Sequence, residues 1–173
     1  MNSLKYQSIS RLKYDLVYRF NYKNSKELPR IEKISLSFNN KKYDFNSLVS
    51  SLVALELLSN QRGRLVKSKT QNVSLKLRKG DPIGSKVTLR KSSMFLFISN
   101  LLNVNRSGLP LVAKVHNSGF SLKIDNLMAF KKLENNYLFF KKLPPLGLVL
   151  HGVSKSSYEM LFVFKHLKFK EFH

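Results

Sequence analysis

Aliphatic and basic side chains alternate along residues 73–90, and this pattern restricts the fold more than any other feature of the sequence. In a β-strand, alternate side chains point to opposite faces. The aliphatic residues are Val73, Leu75, Leu77, Val87 and Leu89, and the basic or polar residues between them include Lys76, Arg78, Lys86, Thr88 and Arg90. The intervening sequence Lys79-Gly80-Asp81-Pro82 is typical of a turn. The stretch therefore predicts a β-hairpin with one aliphatic face and one basic face.

The charge of the chain indicates a polyanionic partner. Lys and Arg number 31 against 10 Asp and Glu in 173 residues, a formal net charge of +21, while 43% of the residues are apolar. That apolar fraction is enough for a packed core, which excludes a disordered basic tail. Between Leu57 and Ile124 the only acidic residue is Asp81, against thirteen basic residues. Because a folded domain with this imbalance repels itself, we expect it to bind nucleic acid or an anionic membrane surface.

Hydrophobic periodicity in the rest of the chain predicts both helices and strands. We expect helices over residues 4–20, from a cap at Asn46 or Ser47 to about Ser59, from a cap at Ser92 or Ser93 to Leu102, and over 158–166. Strands are expected over residues 34–38, 120–124 and 146–153. Since the elements lack a strict βαβ order, the predicted class is α+β, with a mixed, largely antiparallel sheet. The helices would pack on its apolar face and leave its basic face open, in a single domain over residues 1–173.

Signatures of catalysis, cofactor binding and metal binding are missing from the sequence. The chain has no cysteine, which excludes disulfides, cysteine nucleophiles and cysteine zinc sites. The four histidines have no metal-ligand spacing, the ten carboxylates are dispersed, and Gly84-Ser85-Lys86 lacks the preceding glycine of a phosphate-binding loop. No apolar run approaches the roughly 20 residues that a membrane-spanning helix needs. We expect a protein without enzymatic activity, cofactor or membrane partner.

The start of the chain allows two interpretations. Residues 1–11 carry Lys5 and Arg11 and no acidic residue, which is compatible with a weak mitochondrial presequence. The alternative, which we favour, is the first amphipathic helix of the fold.

Nucleic acid fits the basic face of the predicted hairpin well. Side chains on one face of a strand recur about every 7 Å, close to the spacing of phosphates. Arginine adds bidentate phosphate contacts, and Gln61, Asn72 and Thr88 are suited to hydrogen bonds with ribose or base edges. A face that served only solubility would mix lysine with glutamate.

Several blocks of the sequence resemble a known family. The most specific is the gapless stretch over residues 76–90, Lys-Leu-Arg-Lys-Gly-Asp-Pro-Ile-Gly-Ser-Lys-Val-Thr-Leu-Arg, which is followed by Met94 and a phenylalanine-rich helix. Further blocks are Phe20-Asn21-Tyr22, residues 29–36, and Gln61-Arg62 with Lys67 and Lys69. In these blocks the chain resembles the L-five family of large-subunit ribosomal proteins of bacteria and organelles, which bind 5S ribosomal RNA. The similarity covers residues 4–105 and is weaker beyond them.

The resemblance implies a fold and a set of contacts. A concave, basic sheet surface would grip a helical arm of 5S rRNA and dock it at the central protuberance, beside large-subunit rRNA and neighbouring proteins. The hairpin tip would approach the peptidyl-site tRNA, and a later loop would reach a small-subunit head protein across the intersubunit bridge. By position in the family pattern, the expected rRNA contacts are Gln61, Arg62, Lys67, Lys69, Thr88 and Arg90, and the basic residues of the same stretch add Arg64, Lys76 and Lys86. The expected tRNA-facing tip comprises Arg78, Lys79 and Gly80.

Three departures from the family pattern affect these expectations. Ser37 stands where the family often has an asparagine on its RNA surface, residues 38–44 replace a glycine-rich loop, and the arginine-rich bridge motif is degenerate over residues 105–112. The richness in Lys, Asn and Phe favours a mitochondrial ribosome over a plastid or the bacterial cytoplasm.

Other functions compatible with the charge remain alternatives. The main one is a nonspecific nucleic-acid-binding or DNA-compacting protein of an organelle. A membrane-surface protein needs basic and apolar faces on one helix, whereas the basic cluster here lies on the predicted hairpin. An RNA-modifying enzyme needs acid and base groups that the sequence does not bring together.

Overall fold

Six β-strands form one sheet in the computed structural model, which describes residues 12–40, 44–106, 112–116 and 119–166. The strands are β1 (Arg30–Asn39), β2 (Arg64–Lys67), β3 (Pro82–Leu89), β4 (Val112–His116), β5 (Gly119–Ile124) and β6 (Leu146–Val153). Their order across the sheet is β2-β3-β1-β6-β5-β4, and every neighbouring pair is antiparallel. The predicted α+β class is confirmed, with β1 and β6 at the centre.

Helices lie before, between and after these strands. They are α1 (residues 12–19), α2 (Phe45–Ser59), α3 (Lys91–Arg106), α4 (Lys131–Glu134), α5 (Tyr137–Phe140) and α6 (Ser157–His166), with short 3-10 helices at Ser25–Glu27 and Leu127–Ala129. The four predicted helices are all present, although residues 4–11 of the first lie outside the described residues. None of the helices in the described ranges is long and apolar enough to cross a membrane.

The starts of α2 and α3 differ from the predicted caps. The cap of α2 is Asp44, whose carboxylate accepts a hydrogen bond from the Asn46 backbone N–H at 3.3 Å. Ser47 instead donates its hydroxyl to the Asp44 carbonyl at 3.0 Å, so it supports the first turn from inside the helix. Helix α3 already begins at Lys91, before either predicted serine.

The core lies between one face of the sheet and the helices. Ile34 pairs with Leu89 on one side and Leu150 on the other, and Leu36 pairs with Val87 and Leu148, so aliphatic side chains align in rows across β3, β1 and β6. All are at most 5% exposed. The helices add Leu16, Leu55, Phe97, Leu101 and Met160 to the same cluster. Each fully buried side chain of this kind contributes about 1.5–3 kcal/mol of burial free energy. The prediction that the helices pack on one face of the sheet is confirmed.

The predicted hairpin over residues 73–90 is wrong in its first half. Residues 73–76 form a turn, closed by a bridge between Asn72 and Leu77, and β3 pairs with β2 instead. The Asn72 side-chain oxygen accepts hydrogen bonds from the Ser74 hydroxyl (2.6 Å) and the Leu75 N–H (3.3 Å), and Lys76 has a left-handed backbone with φ 54°. These local hydrogen bonds stabilise a turn in a segment whose alternating sequence pattern predicted a strand. As a result Val73 and Leu75 are 81% and 45% exposed, and no aliphatic face forms there.

Candidate nucleic-acid interface

The face of the sheet opposite the core carries small and basic side chains. On β1 these are Lys33, Ser35 and Ser37, which alternate with the buried Ile34, Leu36 and Phe38. Strand pairing places Thr88 and Val149 beside Ser35, and Lys86 and Gly147 beside Ser37. Further residues of this face are Arg64 on β2, His151 on β6, Ser121 and Lys123 on β5, and Lys114 on β4. We call this surface the open face.

One end of the open face forms a groove of about 520 Å³, which we call the basic groove. It is lined by Gln61, Arg62, Arg64, Val66, Lys86, Val87, Thr88 and Arg90. Six of the nine predicted rRNA contacts are therefore brought together, although the chain segments that supply them are up to 29 positions apart. The curvature and RNA contacts that the resemblance implies for this face stay predictions.

The chain reversal after α2 directs Gln61 and Arg62 into the basic groove. Asn60 takes a left-handed conformation (φ 53°) and donates its N–H to the Glu56 carbonyl at 2.8 Å, which ends the helix. The Gln61 N–H donates to the Ser59 hydroxyl at 3.2 Å, and its side-chain amide donates to the Ser93 hydroxyl at 3.2 Å. Gln61 thus links the end of α2 to the start of α3, and the two helix termini border the groove together.

A buried pair of hydroxyls fixes β3 against α2 on the core side of the groove. The Ser85 hydroxyl donates to the Ser51 hydroxyl at 3.1 Å, and both residues are completely buried. The Ser51 hydroxyl in turn donates to the Leu48 carbonyl at 2.8 Å. Each of these buried hydroxyls therefore has a hydrogen-bond partner. Because neighbouring residues of a strand point to opposite faces, fixing Ser85 on the core side places Lys86 on the open face.

The cations of the basic groove have no acidic partner among the described residues. None of the lining residues is acidic, and the ion pairs of the described ranges lie elsewhere: Arg30–Glu32, Lys123–Asp125 and Lys155–Glu27. Arg62, Arg64, Lys86 and Arg90 are all exposed. Four uncompensated charges around one depression suit an anion with repeated charges.

The other predicted contacts lie in or next to the β2–β3 loop, residues 68–81, and not in the groove. Lys67 is exposed at the end of β2, and the exposed residues Lys69, Lys76, Arg78, Lys79 and Gly80 belong to the loop. The base of the loop is held by two backbone hydrogen bonds, Ser68 N–H to Asp81 O (2.8 Å) and Gly80 N–H to Ser68 O (3.0 Å). Gly80 has φ 97°, and the Arg78 N–H donates to the Asp81 carboxylate at 2.8 Å. The predicted turn at residues 79–82 is therefore present, as the closing turn of a longer loop.

Sequence reasoning missed four basic residues of the open face: Lys33, Lys114, Lys123 and His151. The signal for Lys33 was available, since it alternates with the buried β1 residues. His151 is its partner across β1 and β6, with Nε2 3.5 Å from the Ser35 hydroxyl oxygen. Burial, and then the positive charges of Lys33 and Lys86, lower the pKa of His151. Within the described ranges, no group of three His, Asp or Glu side chains is arranged to hold a metal ion.

Comparison with known proteins finds relatives that are large ribosomal subunit proteins named uL5 or uL5m. The chain is 31% identical over 169 residues to the large ribosomal subunit protein uL5m of Reclinomonas americana, covering 92% of each chain. It is 36% identical over 104 residues to uL5 of Thermus thermophilus, covering 59% of this chain and 57% of the relative. It is also 29% identical over 160 residues to uL5 of Malacoplasma penetrans, covering 88% and 84%. No family model matches the chain.

Proposed function

This chain belongs to the uL5 family of large ribosomal subunit proteins, and we propose that it holds a helical arm of 5S rRNA, or an equivalent rRNA segment, in its basic groove. As a family member it is a structural constituent of the large ribosomal subunit. Its relatives are ribosomal proteins, which supports a structural rather than a catalytic role. The observation that carries the proposal is the gathering of Gln61, Arg62, Arg64, Lys86, Thr88 and Arg90 around one groove without an acidic residue.

The physical basis of binding is release of counterions from the RNA. Four groove cations that each neutralise one phosphate give an expected slope of log K against log salt of about −3 to −4. The arginines add planar, bidentate contacts, and Thr88 offers a hydroxyl to the ribose 2′-OH. Since the open face beside the groove has only serine side chains at Ser35 and Ser37 and none at Gly147, the backbone of an RNA helix can approach the sheet closely.

The remaining contacts of the proposal follow from the position of the β2–β3 loop. Arg78, Lys79 and Gly80 are exposed, but they lie at the base of this loop and not at the expected hairpin tip, because the Gly80 N–H donates to the Ser68 carbonyl there. We propose that this exposed segment still faces the peptidyl-site tRNA when the groove holds RNA at the central protuberance. The bridge to a small-subunit head protein would involve residues 105–112, of which 107–111 lie outside the described residues.

Binding of the isolated helical arm of a 5S rRNA, measured over a series of salt concentrations, tests the proposal. We expect Arg90→Gln to weaken binding and to reduce the salt slope by about one unit. Lys142→Gln is the matched control, because it removes one exposed lysine outside the groove. Equal effects of the two variants, or an affinity independent of salt, would contradict binding in the groove.

Competition separates this proposal from the nonspecific alternative. A protein that only compacts DNA would bind a DNA duplex of the same length and sequence as tightly as the RNA arm. We expect the RNA to be preferred, because the A-form minor groove displays the 2′-hydroxyls that DNA lacks.

We further propose that the ribosome in question is mitochondrial. A mitochondrial uL5m and a bacterial uL5 match the chain at similar identity and over similar lengths, 169 and 160 residues, so the support comes mainly from the composition. Cosedimentation with the large subunit from purified mitochondria is the expected result, and its exclusive recovery with another compartment's ribosomes would refute the assignment.

A further inference from the structure

We propose that His151 is an additional RNA-backbone ligand of the open face, and that its imidazole takes up a proton from the solvent when an RNA phosphate reaches it. This inference rests on the proposed function, because the ligand is the same RNA. It adds a contact outside the basic groove and makes binding depend on pH.

The position of His151 supports a phosphate contact. It lies on β6, one of the two central strands, and pairs with Lys33 of β1 and with Gly119 of β5. Gly119 has no side chain to cover the ring, and the neighbouring Ser35, whose hydroxyl oxygen lies 3.5 Å from Nε2 of His151, is small. A polyanion that enters the basic groove at Lys86 and crosses β1 toward Lys33 therefore reaches the imidazole next.

The charges that face His151 come from each neighbouring strand. Strand β1 supplies Lys33 and, toward the end of the sheet, the ion pair of Arg30 and Glu32, whose atoms are 3.5 Å apart. Strand β3 supplies Lys86. On the other side, β5 contributes Gly119 and Ser121, neither of which is charged, and His116 of β4 is paired with Gly119 one strand further away.

In the protein without RNA, these neighbouring groups favour the neutral form of the His151 imidazole. Partial burial, Lys33 and Lys86 all lower the pKa of His151 below the ordinary value, so the ring is largely uncharged near neutral pH. A phosphate placed among the same groups reverses the balance, since it neutralises the lysines and attracts a proton to the imidazole. One proton passes from the buffer to the ring nitrogen, and no covalent bond changes.

Proton uptake can be measured by isothermal titration calorimetry. Wild-type protein is titrated with the isolated 5S rRNA arm near pH 7, in two buffers of different ionisation enthalpy. We expect uptake of about 0.5 to 1 proton per complex, and an association constant that falls several-fold between about pH 6 and about pH 8. His151→Gln should remove most of both effects, whereas His151→Lys should bind tightly at every pH without uptake.

A second histidine provides the matched control. His166 is the last residue of α6, a helix that packs on the core side of the sheet, and His166→Gln is expected to leave proton uptake unchanged. Thermal unfolding confirms that each variant is folded before its titration is interpreted.

The outcomes distinguish this inference from the function on which it rests. Equal proton uptake by wild type and His151→Gln overturns the role of His151, and the proposed function stands if Arg90→Gln still weakens binding. Absence of RNA binding by wild-type protein at every pH overturns both. A loss of uptake in His151→Gln and in no control variant supports the inference.

Discussion

Lys91 is the first residue of α3 and has a left-handed backbone with φ 51°, a conformation that is costly for a residue with a Cβ. We expect Lys91→Gly to stabilise the protein by about 0.5–1 kcal/mol, because glycine adopts this φ without steric strain. The free energy of unfolding from urea denaturation measures the change. Ser92→Gly, at the next position in the helix, should have the opposite sign, since glycine lowers helix propensity. Equal effects at both positions would contradict strain at Lys91.

Tyr22 gives the free energy of unfolding a dependence on alkaline pH. Burial and then the nearby carboxylates of Glu159 and Glu27 raise the pKa of Tyr22 to about 12 from an ordinary value of 10.0. Between these values the folded protein retains a proton that the unfolded chain loses, so the stability contributed below pH 10 is lost as the pH rises toward 12. We expect Tyr22→Phe to flatten this fall in denaturation experiments, and to remove the latest step of the tyrosine absorbance titration. An unchanged titration would show that Tyr22 ionises normally.

At the level of elements, the start of α2 depends on one carboxylate. Asp44→Ala removes the acceptor for the Asn46 N–H and is expected to cost about 1 kcal/mol, visible as a lower Tm. Asn46→Ala, at a residue that the sequence suggested as the cap, should cost less, because its side chain does not cap the helix. A larger loss of stability from Asn46→Ala than from Asp44→Ala would support Asn46 as the cap of α2.

The β2–β3 loop depends on Asn72 in a similar way. Because the Asn72 side chain accepts hydrogen bonds from Ser74 and Leu75, Asn72→Ala should increase amide hydrogen exchange within residues 72–77. Unfolding of the whole protein should hardly change, since most of the loop is exposed. Unaltered exchange in the loop would mean that other contacts maintain the turn.

Regular elements were predictable where burial and periodicity agree. Strand β6 matches its prediction residue for residue, because its alternate leucines are all buried against the helices. The segment at residues 73–77 has the same alternation, but Val73 and Leu75 are exposed and local hydrogen bonds of Asn72 form a turn there. Strand β2 has only four residues, with two apolar positions, and its strand character comes from pairing with β3, which no local pattern encodes.

The residue types of the candidate site were predictable from the sequence, but their arrangement was not. Arg62, Lys86 and Arg90 stood out because basic residues without acidic neighbours are visible in any sequence. Their convergence in one groove depends on the pairing of β2 with β3, and the inclusion of His151 in the open face depends on the register of β1 and β6. Register is a property of the folded sheet and not of any single segment.

For the whole molecule, salt should act in opposite directions on folding and on binding. A net charge of +21 repels itself in the compact state, so moderate salt is expected to raise the Tm of the free protein by screening. The same salt weakens binding of the RNA arm, because it reduces the gain from counterion release. Thermal scans of the free protein and of the complex measure both trends. A Tm of the free protein that falls with salt would indicate that attraction between opposite charges outweighs the repulsion.

The charges on the two edge strands of the sheet, β2 and β4, also affect whether newly made chains aggregate. Strand β2 is short and exposes Arg64 and Lys67, and β4 at the other margin carries the exposed Lys114. Unpaired strand edges invite other chains to add to the sheet, and positive charge on such an edge opposes that growth. The cations at these edges therefore act as a safeguard against aggregation during the interval between synthesis and assembly.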